Sequence, residues 1–283
     1  MITLVTGLVA GFLVGRLLWI AAGRTFDTPA LLRSNYRQRT IPTAVGTLVV
    51  LATLAVEAGR ALAASFGVGR PPPSAGVHPA VLVVVLGFGL LGLVDDLLGS
   101  DAEKGFRGHV RALVAGRVTT GALKLLGGAA VALVAVASSA GRGPGRLVAD
   151  AALVALGANL GNLVDRAPGR AIKFASVGFV AVAVAALAGG TASTVVGVAV
   201  VVGGSLSLLA GDLAERFMLG DVGANVLGAV VGLGIVLACG PATRSAALIG
   251  AVLLNLAGEV VSFSRVIDAV PPLRAFDRLG RRR

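Results

Sequence analysis

The chain is divided into blocks of about 20 predominantly apolar residues, the length that crosses the hydrocarbon core of a bilayer as an α-helix. Only 14% of the residues are charged, against about a quarter in soluble domains, and these charges fall between the blocks. Nine spans are predicted, over residues 2–22, 42–66, 78–98, 119–140, 147–163, 172–190, 192–211, 221–239 and 243–262. We therefore expect an all-α, polytopic helix bundle that forms one transmembrane domain over residues 1–283.

Most of the 25 lysines and arginines lie in alternate loops and in the C-terminal tail. These are Arg24, Arg33, Arg37, Arg39, Lys104, Arg107, Arg111, Arg117, Arg166, Arg170, Lys173, Arg216, Arg265, Arg274, Arg278 and Arg281–Arg283. Cationic loops stay in the cytoplasm, which predicts an outside N-terminus and a basic cytoplasmic tail over residues 264–283. The net charge of +11 therefore indicates a membrane surface or anionic substrates as partners, and not nucleic acid.

Of the 14 acidic residues, all but Glu57 and Asp150 fall at or near the predicted cytoplasmic ends of the spans. Asp95, Asp96, Asp165 and Asp221 stand directly at span ends beside apolar residues. Carboxylates that converge there would repel one another, and a hard divalent cation with oxygen ligands relieves that repulsion. The alternative is that acids at span ends are solvated and balanced by arginines. That alternative is favoured for Asp27, Asp101, Glu103, Asp268 and Asp277, and it stays open for Asp95 and Asp96, which point about 100° apart on a helix.

Asn159, Asn162 and Asp165 are spaced three residues apart, which places their side chains near one face of a helix. Two amides and an acid on one stripe of an apolar span are costly to bury, so this spacing favours a functional role. Lys124 lies about one turn inside the fourth span. Its ammonium either reaches back to the membrane surface or binds a diphosphate as a point charge.

Taken in order, five segments resemble the polyprenyl-phosphate N-acetylhexosamine-1-phosphate transferase superfamily. They are Asn35-Tyr36-Arg37 with Ile41-Pro42-Thr43, Asp95-Asp96, Thr119 to Lys124, Asn159 to Asp165, and Leu219 to Ala224. Each segment is a weak signal alone, but their order, their spacing and their shared placement make the set fairly specific. The resemblance covers nearly the whole chain.

The resemblance implies a catalytic group of Asp95, Asp96, Lys124 and Asp221, in which Asp221 and Asp96 bind Mg²⁺. It also implies that Asn35, Arg37, Asn159, Asn162 and Asp165 contact the substrate. The implied reaction transfers a sugar-1-phosphate from a nucleotide-diphosphate sugar, UDP-linked by analogy, to a polyprenyl phosphate. This would occur on the cytoplasmic face of a bacterial inner membrane during synthesis of cell-envelope glycans, and a homodimer is implied as well.

Three features depart from the family pattern. Pro168 stands where the family has a second acid after its asparagine motif, and no histidine occurs between Val260 and Asp268. The muramoyl-pentapeptide enzymes of the family also have a tenth span, where this sequence has a basic tail. These departures leave open a catalytically weak relative that serves as a membrane scaffold or regulator. A transporter is a third alternative, because Glu57 and Asp150 lie within or near spans. However, each has an arginine within one helical turn, Arg60 and Arg146 respectively, that we expect to pair with it.

Overall fold

The computed structural model describes residues 1–69, 77–98, 120–137 and 143–281. Eleven α-helices occur in those residues. They are α1 Ile2–Ala22, α2 Thr47–Ser65, α3 Val77–Leu98, α4 Thr120–Ala137, α5 Pro144–Val164, α6 Arg170–Ala188, α7 Val196–Leu213, α8 Gly220–Ala238, α9 Pro241–Val260, α10 Phe263–Ala269 and α11 Pro271–Arg278. Each of the nine predicted spans coincides with one of the helices α1–α9. Loop 99–119 lies outside the described residues, and so do the predictions made for its four cations and for Asp101 and Glu103.

Seven of the described helices are long and apolar enough to cross a membrane, and α9 with α10 makes an eighth if that pair, bent by 96°, is one span. The apolar part of α4, Gly121–Ala137, is shorter. The prediction of a polytopic membrane protein is therefore confirmed. The count of nine spans and the orientation stay predictions.

The described residues are predominantly helical, as the all-α prediction expects, and the loop after α1 adds one short β-hairpin that was not predicted. Strands β1 Leu32–Ser34 and β2 Thr40–Pro42 pair antiparallel, with Arg33 opposite Ile41. The second span was predicted from residue 42 but its helix begins at Thr47, since residues 40–42 are used in the strand. A three-residue strand is too short to show the alternation of apolar and polar residues by which strands are recognised from sequence.

Helix α8 is the centre of the bundle and is buried along nearly its whole length, with α3, α5 and α6 packed around it. Glycines let the backbones of α5 and α8 approach closely, as in other membrane bundles. A Cβ atom added to Gly161 would lie 3.0 Å from the Cα atom of Gly228. This packing places the first residues of α8 beside the C-terminal end of α3.

The hairpin loop is tied to the segment that leads into α8. The N–H of Met218 donates to the carbonyl of Pro42 at 2.7 Å, and the N–H of Gly46 donates to the carbonyl of Leu219 at 2.8 Å. These backbone bonds join the first loop to a segment far along the chain. The segments Ile41–Thr43 and Leu219–Ala224, which the sequence offered as separate motifs, therefore meet at one place.

The C-terminal tail is docked against the N-terminal end of α6. The Arg170 guanidinium donates to both carboxylate oxygens of Asp277, at 2.8 and 3.0 Å, and the Lys173 ammonium donates to the carbonyls of Phe276, Asp277 and Leu279. The prediction that Asp277 is a solvated acid is wrong, because this residue is only 4% exposed. Residues 170 and 277 are too distant in sequence for local spacing to reveal the pair.

Candidate active site

Three helices bring together the paired aspartates, the lysine and the acid that the sequence singled out. Asp95 and Asp96 lie near the end of α3, Lys124 lies in the first turns of α4, and Asp221 is the second residue of α8. The Lys124 ammonium donates to Asp95 at 3.3 Å and also to the carboxylate of Asp221. Lys124 therefore bridges two acids that come from different helices.

Asp96 has a different role from its neighbour. Its two carboxylate oxygens accept the backbone N–H groups of Asp221 and Val222, at 3.1 and 3.2 Å. The first N–H groups of a helix have no partner within the helix and carry partial positive charge. Asp96 thus caps the N-terminus of α8 from another helix, whereas Asp95 faces Lys124. The expected divergence of the two side chains is observed.

The start of α8 depends on a glycine. Gly220 has φ of +76°, in the left-handed region that favours glycine. A Cβ atom there would lie 2.5 Å from the Asp96 carboxylate and 2.7 Å from the backbone nitrogen of Ala44. Gly220 therefore allows the cap and the first loop to close around Asp221.

A cavity of about 220 Å³ opens beside this cluster and is lined by five carboxylates, those of Asp96, Asp165, Asp212, Glu215 and Asp221. Asn35 and Arg166 also line it. Carboxylates accept hydrogen bonds from the hydroxyl and N–H groups of a ligand, and they bind cations. The cavity is thus suited to a ligand that carries many hydroxyl and N–H groups. A phosphate would need cationic groups beside it, because the carboxylates repel its negative charge.

Asn35 is buried and holds the tip of the hairpin in place. Its Oδ1 atom accepts the backbone N–H groups of Arg37 and Arg39, each at 2.9 Å, and its amide donates to Glu215 at 3.0 Å. Arg37 forms an ion pair with Glu215 at 3.3 Å. Asn35 therefore lies in the cavity wall, where its observed bonds position the hairpin. Its contact with a substrate stays a prediction.

Sequence reasoning did not assign Asp212 and Glu215 to the site. Asp212 accepts the backbone N–H of Gly169 at 2.9 Å, which ties the end of α7 to the start of α6. Glu215 has φ of +54°, an uncommon conformation for a residue with a side chain. The sequence feature that could have identified them is a pair of acids three residues apart, shortly before the Leu219–Ala224 motif.

The predicted stripe of Asn159, Asn162 and Asp165 does not act as one face of the site. Asp165 lines the cavity, but neither asparagine is among the described residues that do so. The Asn159 amide instead donates to Asn255 of α9 at 2.6 Å. The reason is that α5 ends at Val164 and Asp165 has ψ of +53°, so its side chain leaves the helical stripe. Substrate contacts of Asn159 and Asn162 stay predictions that this geometry does not favour.

Asp165 lies just outside α5, and its surroundings disfavour its charged form. Loss of solvent raises the pKa of Asp165 well above its ordinary value, and the negative charges of Asp212, Asp221 and Asp96 raise it further. The positive charge of Arg170 acts in the opposite direction but is outweighed. A cation or a hydrogen-bond donor that entered the cavity would therefore favour the ionised form of Asp165 and lower its pKa.

Among the residues that the structure describes, no three His, Cys, Asp or Glu side chains are arranged to hold a metal ion. Mg²⁺ requires less than that, because it is commonly held by one or two carboxylates together with substrate phosphates and water. Asp95 and Asp221 fit this requirement, since both already face one cation, the Lys124 ammonium. Both oxygens of Asp96 accept backbone N–H groups, so Asp95 suits the second ligand better than Asp96.

No protein-family model matches the chain, and no curated protein matches it either. The case for a function therefore rests on the motifs and on the geometry of the site.

The two acids that suggested transport are held in ion pairs, as expected. Glu57 pairs with Arg60 at 2.8 Å. Asp150 pairs with Arg146 at 2.9 Å and with Arg244 at 2.8 Å. Both expected pairings are confirmed, and the second arginine on Asp150 was not anticipated. These contacts account for both acids without a transport path.

Proposed function

We propose that this protein is a Mg²⁺-dependent transferase that moves a sugar-1-phosphate from a nucleotide-diphosphate sugar to a polyprenyl phosphate. The observation that carries the proposal is the position of Lys124, held between Asp95 and Asp221 next to an acid-lined cavity. Transfer of a phosphoryl group from a diphosphate needs acids that can hold a metal ion and a cation that can contact the phosphates. Here two acids and one lysine lie together at the ends of three helices.

The cavity takes the part of the donor that carries hydroxyl and N–H groups. Sugar and ribose hydroxyls donate to the carboxylates of Asp165, Asp212 and Glu215, which line the cavity. The diphosphate then lies near Asp221, where Lys124 is within reach. Asn35 and Arg37 keep the hairpin closed over this end through Glu215.

In the reaction, an oxygen of the polyprenyl phosphate forms a bond to the β-phosphorus of the donor. The bond between that phosphorus and the bridging oxygen breaks, and the nucleoside monophosphate leaves. Lys124 moves from the two aspartates to the diphosphate and stabilises the negative charge that develops there. Asp95 and Asp221 are the ligands for Mg²⁺, which supplies charge neutralisation and orientation of the diphosphate when bound.

Any proton that the lipid phosphate still carries passes to Asp95 or Asp96, whichever of the two does not hold Mg²⁺. Because the second pKa of a phosphate monoester is about 6, the nucleophile is mostly deprotonated at neutral pH and this step contributes little. The apolar helices leave the lipid chain in the bilayer while the phosphate reaches the aqueous face. A bacterial inner membrane as the location and a homodimer as the assembly are part of the same proposal.

A membrane scaffold is the second candidate, and one observation favours it. Lys124 satisfies Asp95 and Asp221, and Asp96 caps α8 with both oxygens. This group could therefore serve stability alone. The two functions differ in whether Asp221 is needed for turnover.

The deciding experiment incubates purified protein with Mg²⁺, undecaprenyl phosphate and a panel of nucleotide sugars, and detects released nucleoside monophosphate and lipid-linked product. We expect product with at least one sugar, and a loss of about a hundredfold or more in Asp221→Asn and in Lys124→Gln. Asp268→Asn, at an acid whose side chain is 55% exposed, is the matched control and should retain transfer. Absence of product across the panel, with protein that melts cooperatively, would favour the scaffold.

A further inference from the structure

A second cavity, of about 350 Å³, lies between the C-terminal halves of α1 and α7. Its walls are mainly apolar and include Phe12 and Leu206, while Arg16 and Arg216 are its charged members. The rings of Trp19 and Phe217 pack together at its end, with centroids 4.5 Å apart. The cavity is therefore an apolar groove with two guanidinium groups, and we call it the α1–α7 groove.

The groove lies toward the C-terminal end of α1, where we expect the lipid headgroups. Arg16 is six positions before the last residue of α1, Ala22, a distance of about 9 Å along the axis. Trp19 is one turn nearer to that end, and tryptophan concentrates at membrane interfaces. A long arginine side chain that starts at this depth extends its guanidinium to the phosphate level.

Neither Arg16 nor Arg216 has an ion-pair partner or a side-chain hydrogen bond within the described part of the chain, and both are exposed. Other arginines at helix ends behave differently, since Arg170 and Arg244 are each paired with an aspartate. Arg16 lies within a candidate membrane span, and an arginine in a span is unfavourable without a partner. A phosphate oxygen supplies both the negative charge and the hydrogen-bond acceptors that it requires.

We propose that the α1–α7 groove binds an anionic glycerophospholipid, with its phosphate on Arg16 and Arg216 and one acyl chain along Phe12 and Leu206. The groove is a site separate from the one that holds the reacting lipid. Phe217 is 1% exposed and forms part of the wall of both cavities. Of the described residues that line the groove, none is an acid, so no carboxylate in its wall repels a phosphate there.

The test is native mass spectrometry of the full chain in detergent, titrated with phosphatidylglycerol or with phosphatidylcholine of the same acyl chains. We expect tighter binding of phosphatidylglycerol, and roughly tenfold weaker binding in the double variant Arg16→Gln/Arg216→Gln. The control, Arg265→Gln/Arg274→Gln, removes the same charge from exposed tail positions and should bind as the parent does. A third variant, Ala210→Phe, keeps both arginines but fills the groove, and it should weaken binding as well.

Three results would overturn the proposal. The first is equal binding of the anionic and the zwitterionic lipid. The second is an equal loss in the tail control, which would indicate a general charge effect. The third is stronger competition for this site by undecaprenyl phosphate than by phosphatidylglycerol, which would assign the groove to the reacting lipid. None of these readouts depends on transferase activity.

Discussion

The carboxylate of Asp96 accepts the backbone N–H of Asp221 at 3.1 Å, although 125 positions separate the two residues. One acid of the candidate site thus supports the helix that presents another. Side-chain caps of this kind satisfy N–H groups that a helix leaves unpaired. The start of α8 therefore depends on a contact from α3, and this contact and others that join distant segments lead to the following predictions.

Replacing Asp96 by alanine should lower the free energy of unfolding by about 1–2 kcal/mol, the usual cost of losing a cap. Asp96→Asn keeps an oxygen that can accept one of the two N–H groups, so it should be destabilised less. Thermal unfolding in detergent, with both variants beside the parent, measures the difference. Equal melting temperatures for the parent and Asp96→Ala would show that the cap does not stabilise α8.

Replacing Lys124 by glutamine leaves Asp95 and Asp221 close together without the cation that bridges them. A divalent cation can then take that position, so Mg²⁺ should raise the melting temperature by about 2–4 °C more in Lys124→Gln than in the parent. NaCl at matched ionic strength is the control, and Lys124→Arg should behave like the parent. If Mg²⁺ stabilises the parent and the glutamine variant equally, the two acids are not a cation site.

Gly220→Ala should destabilise the protein by about 1–3 kcal/mol, because φ of +76° is strained for alanine and the added methyl group meets Asp96 and Ala44. The matched control is Gly250→Ala in α9, where no heavy atom lies within 4 Å of the added Cβ. That substitution should be neutral or slightly stabilising. Chemical unfolding of both variants checks the difference, and similar stability would contradict the closed geometry around Gly220.

The docking of the tail should depend on pH in the acid range. Burial raises the pKa of Asp277, but the hydrogen bond from Arg170 and the charges of Arg170, Arg281 and Lys173 outweigh it, and the net pKa lies below the ordinary 3.8. A depressed pKa means that the ionised form stabilises docking above about pH 4, and that this contribution is lost as the pH falls through the lower value.

Hydrogen exchange of Pro271–Arg278, corrected for intrinsic rates, checks this dependence. We expect protection at pH 7 that disappears below pH 4, and exchange about tenfold faster at pH 7 in Asp277→Asn. Asp268→Asn removes only an exposed ion pair with Arg278 of the same tail, at 3.7 Å, and should exchange nearly as the parent does. A tail that stays protected in Asp277→Asn would rule out the Arg170–Asp277 pair as its anchor.

Features that depend on neighbours in sequence could be predicted from the sequence. Apolar blocks identified the helices α1–α9, because a span needs a continuous apolar surface of fixed length. The pairs Glu57–Arg60 and Arg146–Asp150 followed from helical spacing, which brings residues three or four apart onto one face. The ordered motifs also predicted that Asp95, Lys124 and Asp221 belong together, and the geometry brings them together.

Other contacts are known only from the tertiary structure, because helix packing brings together residues that are far apart in the sequence. Asn35 meets Glu215 across 180 positions, Asp212 joins α7 to α6, and Asp277 is buried by Arg170 of another helix. Asn159 has the right spacing for the cavity but bonds to Asn255, because its face of α5 is turned toward α9. Hydropathy and periodicity give the length and the apolar character of each helix. The rotation and depth of each helix depend on the close contacts between helices, which no local pattern contains.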